Sequence, residues 1–119
     1  MMGVATIGTE TLSRLADPEV RRFLAEKWAL IAEQFAPSHF ILFGSRVNGT
    51  PHEWSDLDAI IVSSRFAGIR FIKRSYHFKT AIRPQLGMTA LCYTPEEFEE
   101  LRDGIGVVAD ACREGVWLE

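Results

Sequence analysis

A chain of 119 residues, 47% hydrophobic and 24% charged, has the size and composition of one globular domain around one core. No apolar run approaches the roughly 20 residues that cross a bilayer. Residues 1–10 also lack a basic region followed by an apolar one, so a cytoplasmic location is expected. In chain order, residues 1–16 show no clean period and read as a flexible N-terminal segment, with one domain over 17–119. Asp17-Pro18 is a helix start, and Val20, Phe23, Leu24, Trp28, Ile31 and Phe35 repeat at helical spacing until Pro37 closes the helix. Phe40 to Phe43 is a short buried strand; Ser45 to Asn48 is about one helical turn ended by Gly49. A loop over 50–55 leads to a second strand, Leu57 to Val62. Ile69, Ile72, Tyr76 and Thr80 suggest a further helix, and 87–93 a third strand. Thr94-Pro95-Glu96-Glu97 is a capping box opening a helix that carries Phe98 and Leu101 inward. Val107, Val108, Ala111 and Cys112 support a last helix stopped by Gly115, and 116–118 adds an edge strand. Helices alternating with strands imply an α/β fold with a small mixed β-sheet packed with helices, the short 49–55 connection permitting antiparallel pairing.

Charge is unevenly spread. Between Asp58 and Glu96 there is no acid, whereas Arg65, Arg70, Lys73, Arg74, Lys79 and Arg83 fall there; after Pro95 acids dominate. A basic middle segment suits a triphosphate, nucleic acid or an acidic partner, and equally a solvated helix face. The net charge of −3 argues against general nucleic-acid coating. Cys92 and Cys112 lie in apolar stretches and are expected to be reduced. His39 and His77 lack partners at ligand spacing.

The informative stretch is 40–62. An apolar strand empties into Gly44-Ser45, and the next strand begins just after Asp56 and Asp58. Residues two apart on a strand project to the same side, so the two carboxylates stand together while Leu57 points inward. Paired carboxylates repel, and a cation between them relieves that repulsion. Gly44 permits close backbone approach and Ser45 offers a hydroxyl, which suits a phosphate. The plainer alternatives are an ordinary strand-to-helix turn at Gly44-Ser45 and a turn cap at Asp56 and Asp58. Arg46 either pairs with phosphate or stays at the surface. His52, Glu53 and Trp54 lie in the neighbouring loop with nothing in the spacing to tie them to the site.

With Phe43-Gly44-Ser45-Arg46, Gly49 and Ser55-Asp56-Leu57-Asp58 in order, the chain resembles the nucleotidyltransferase superfamily typified by DNA polymerase beta. Within it, the small stand-alone minimal nucleotidyltransferases are the nearest likeness, and the resemblance extends over roughly residues 20–118. It implies Mg²⁺ or Mn²⁺ held by Asp56 and Asp58 as the catalytic pair, a nucleoside triphosphate bound at Gly44, Ser45 and Arg46, and transfer of a nucleoside monophosphate such as AMP to a hydroxyl. It also implies partners: a small helical protein of the HEPN type, as in toxin–antitoxin pairs, or a second copy of the chain. The pattern departs at one position. Active members carry a third carboxylate on the following strand, and alignment on Thr94-Pro95-Glu96-Glu97 puts Thr89 there. A neutral hydroxyl is a poor metal ligand and base, so a nucleotide-binding or antitoxin-like module without turnover is the competing expectation.

Overall fold

The computed structural model describes residues 7–48 and 56–119; Gly49, the 50–55 loop, His52, Glu53, Trp54 and Ser55 lie outside the described residues. The elements are α1 (Thr9–Ser13), α2 (Pro18–Phe35), β1 (His39–Phe43), α3 (Ser45–Asn48), β2 (Leu57–Val62), a 3₁₀ turn (Ser64–Phe66), α4 (Phe71–Ile82), β3 (Met88–Tyr93), α5 (Pro95–Leu101), α6 (Val107–Glu114) and β4 (Val116–Trp117). The sheet order is β3-β2-β1-β4. β1 runs antiparallel to β2 and β4, and β2 runs parallel to β3, so the sheet is mixed.

Local chemistry explains the ends of the helices. The Asp17 carboxylate accepts from the Glu19 amide at 2.9 Å, with Pro18 following it, which starts α2. Thr94 and Glu97 cap each other's backbone at the start of α5, the reciprocal capping box expected from the sequence.

β2 is central and five of its six residues are buried, because helices cover both faces of the sheet. One face packs Phe40, Leu42, Ala59, Ile61 and Ala90 against α2 and α4, including Trp28, Phe35 and Phe78. The other packs Ile41, Ile60 and Val62 against Phe98 of α5 and Val108 and Ala111 of α6. Full burial of a side chain such as Phe98 stabilises by about 1.5–3 kcal/mol. Cys92 and Cys112 are both free thiols, as expected.

Two helices present other faces than their apolar spacing suggested. α4 forms, but it buries Arg74, Phe78 and Ile82 and leaves Ile72 and Tyr76 exposed. Leu101, expected to point inward, is 42% exposed, and only Phe98 of α5 is buried. Both corrections share a cause: a helix face is chosen by what it meets. Here α4 meets the open edge of β3, whose outward carbonyls at Cys92 and Met88 accept from Arg74 Nη1 (3.2 Å) and Lys79 Nζ (3.1 Å). Covering a sheet edge with long basic side chains satisfies acceptors that would otherwise pair with another strand.

Candidate functional site

Asp56, Asp58, Ile60 and Val62 share one face by strand alternation. Burial along that row falls from complete at Val62 and Ile60, beneath α5 and α6, to partial at Asp58 and open at Asp56. The two carboxylates therefore stand where the apolar cover ends. Asp58 pairs in register with Phe43 on one side and Thr89 on the other. The turn after Phe43 puts Gly44 at φ +86°, a conformation that favours glycine, and a Cβ at Gly44 would overlap the Asp58 carboxylate. A Cβ at Gly87 would likewise overlap the carboxylate of Asp56. Each aspartate is thus seated against a glycine. The Gly44 carbonyl accepts from the amides of Val47 and Asn48, which starts α3.

Across from the pair stands Thr89, as the sequence alignment implied. Its hydroxyl donates to Asp56 Oδ2 at 3.4 Å, a long bond. The net effect on Asp58 is upward: desolvation raises its pKa first, and the negative charge of Asp56 raises it further. No lysine or arginine bonds to either carboxylate among the described residues. Among those residues, too, no three His, Cys, Asp or Glu side chains come together as a metal group. The two aspartates and the mutual repulsion they carry nevertheless fit a divalent cation, which would supply the missing positive charge.

Arg46 takes a course the sequence did not anticipate. It is neither at the surface nor free to meet phosphate: 7% exposed, it faces the start of α2, with Nη2 3.0 Å from Glu19 Oε1 and Nη1 3.2 Å from Asp17 Oδ2. The Asp17 contact is an ion pair without hydrogen-bond alignment, and Nε has no hydrogen-bond partner among the described residues. Arg46 ties α3, and with it the Gly44 turn, to the N-terminus of α2.

Sequence reading missed two neighbours of the site. Gly87 accommodates Asp56, and a glycine opening an otherwise apolar strand was the available signal. The second is α6, whose Val107, Asp110 and Glu114 join Phe43, Gly44 and Asn48 around a groove of about 250 Å³. Asn48 Nδ2 donates to the Glu114 carbonyl at 2.9 Å, fastening this wall to α3.

The nucleotidyltransferase domain family matches residues 18–109, a span holding the glycine turn, the aspartate pair and Thr89. The chain belongs to that family. Among solved structures it resembles a candidate nucleotidyltransferase from Sulfolobus solfataricus at 20% identity and a TM-score of 0.50, over 87% of this chain and 89% of that one, a likeness of fold. BolA1 from Arabidopsis thaliana matches at 16% identity over 68% of this chain and 96% of that one, with a TM-score of 0.49. No curated protein matches. As a nucleotidyltransferase-type domain it has the expected α/β architecture, and no helix among the described residues is long and apolar enough to cross a membrane.

Proposed function

We propose that the chain is a Mg²⁺- or Mn²⁺-dependent nucleotidyltransferase that moves a nucleoside monophosphate, AMP foremost, from a nucleoside triphosphate to a hydroxyl. The observation that carries this reading is the seating of Asp58 against Gly44. It brings a partly desolvated carboxylate, repelled by Asp56, to a glycine turn whose backbone suits a phosphate. Asp56 and Asp58 would hold the cation; Gly44 and Ser45 would receive the phosphates. The cation, when bound, neutralises the triphosphate and stabilises charge on the transferring phosphoryl group. Arg46 contributes by holding the turn in place. The family resemblance makes a small helical HEPN-type protein a reasonable acceptor. Incubating the protein with α-labelled ATP, Mg²⁺ and a co-encoded helical protein should label that protein, and Asp58→Asn should abolish the label. Absence of label with every such acceptor counts against transfer.

One observation favours a second reading. Thr89 occupies the register position opposite Asp58, so the described site holds two carboxylates rather than three. On this reading the chain binds Mg²⁺-nucleotide, or a partner, without turnover. Calorimetry would then report metal-dependent ATP binding while labelling stays at background, and Thr89→Asp would raise transfer. Rapid turnover by the wild-type protein would end this alternative.

A further inference from the structure

Two exposed apolar features lie away from the aspartate pair, and they carry opposite charge. The first is the outer face of α4. Ile72 is 74% and Tyr76 75% exposed, and beside Tyr76 runs a predominantly apolar groove of about 430 Å³ lined also by Ile69, Lys73, His77 and Ala81. Lys73 lines it, and Arg70 and Arg83 stand exposed at the two ends of α4; none of the three forms an ion pair among the described residues, unlike Arg74, which pairs with Glu97. The second feature is the tip between α5 and α6. There Ile105 stands fully exposed between Gly104 and Gly106, the latter at φ +132°, with Leu101 and Val107 also exposed on either side. Glu100 and Asp103 flank this tip and are likewise unpaired among the described residues.

A lone exposed apolar residue needs no explanation, but an apolar knob flanked by Glu100 and Asp103 and an apolar groove on a helix whose exposed charges are all basic are complementary. We propose that the α4 groove receives Ile105 of a second copy of this chain. Burial of the knob removes apolar surface from water on both partners, while Glu100 and Asp103 meet Arg70, Lys73 and Arg83 at the rim. Groove and knob are different patches, so the contact is heterologous, and repetition of it produces a ring if the rotation closes and a chain if it does not.

Sedimentation of the full chain tests the proposal independently of any nucleotide chemistry. Wild type should self-associate with concentration, less so at high salt, and both Ile105→Asp and Tyr76→Asp should weaken association by about tenfold or more. Both positions are exposed, so circular dichroism should show the variants folded. Mixing them should restore a one-to-one dimer, because the first keeps an intact groove and the second an intact knob. A wild type monomeric at about 1 mM, including one whose groove instead binds an acidic helix of another protein, overturns the proposal. So does association indifferent to both variants, or a mixture that fails to pair.

Discussion

The two ends of β3 carry charge differently: at one end an arginine finds its acceptors within the chain, and at the other two carboxylates have no basic partner among the described residues. At the α4 edge of β3, Arg74 donates to Ile69, Cys92 and both oxygens of Glu97, and Glu97 in turn caps α5. At the opposite end of that strand, Asp56 and Asp58 stand beside the Thr89 hydroxyl, and no lysine or arginine bonds to them among the described residues. A fold that supplies a four-way partner for one buried arginine has the means to neutralise a carboxylate. Two adjacent carboxylates without a basic partner among the described residues repel each other, a cost to stability that a bound cation would relieve.

The largest way to break the contrast is to remove the unanswered charge. Asp58→Asn should lower Mg²⁺-dependent nucleotide binding or transfer by about 10²-fold or more while leaving the fold intact, as measured by calorimetry and labelling. Removal of the answered charge should do the reverse. Arg74→Ala removes the donor to Cys92 O and leaves Glu97 with only the Thr94 amide, and should cost about 2–3 kcal/mol in urea unfolding, moderated because Glu97 is 43% exposed. Gly44→Ala joins the two effects. The φ of +86° strains alanine by about 1–2 kcal/mol, and the added methyl displaces Asp58, so stability and metal affinity should fall together. Gly87→Ala lacks the backbone strain and meets only the carboxylate end of Asp56. It should weaken metal-dependent binding with stability nearly unchanged, which separates the site from the scaffold.

Much of this site was legible because its signals are local. Asp56-x-Asp58 needs only strand alternation to bring two carboxylates to one side, and the family resemblance, registered on Thr94-Pro95-Glu96-Glu97, singled out Thr89, which the structure pairs with Asp58. The antiparallel pairing of β1 with β2 is one that the short connection permits. What sequence could not supply was the environment chosen by distant elements. Arg46 sits beside a phosphate-like turn in sequence, yet α2 presents Asp17 and Glu19 to it in space. Ile72 and Tyr76 have core spacing, yet the edge of β3 needs donors, so Arg74 and Lys79 take the inner face of α4 instead. In each case a charged residue went inward because a partner 9 or more residues away was waiting for it.

The smallest effect is also the one that reads both regions at once, through the sign of their response to acid. Glu97 has its pKa lowered, chiefly by the hydrogen bond from Arg74. Its stabilisation is therefore present above the unfolded carboxylate pKa and is lost as pH falls through the lower folded value. Asp58 has its pKa raised, so its ionised form opposes folding; the penalty is absent below the unfolded pKa and grows as pH rises through the folded one. In metal-free buffer at pH 7, Asp58→Asn should thus be more stable than wild type by a small margin, limited by solvent screening, and the gain should shrink on acidification. Glu97→Gln should be less stable than wild type at pH 7, and its deficit should also shrink in acid. Added Mg²⁺ should narrow the gap between wild type and Asp58→Asn by stabilising only the former. Thermal melts of the three proteins at pH 7 and pH 4, with and without the ion, measure this directly; a wild type that Mg²⁺ leaves unmoved would place the repulsion at Asp56 and Asp58 outside any metal function.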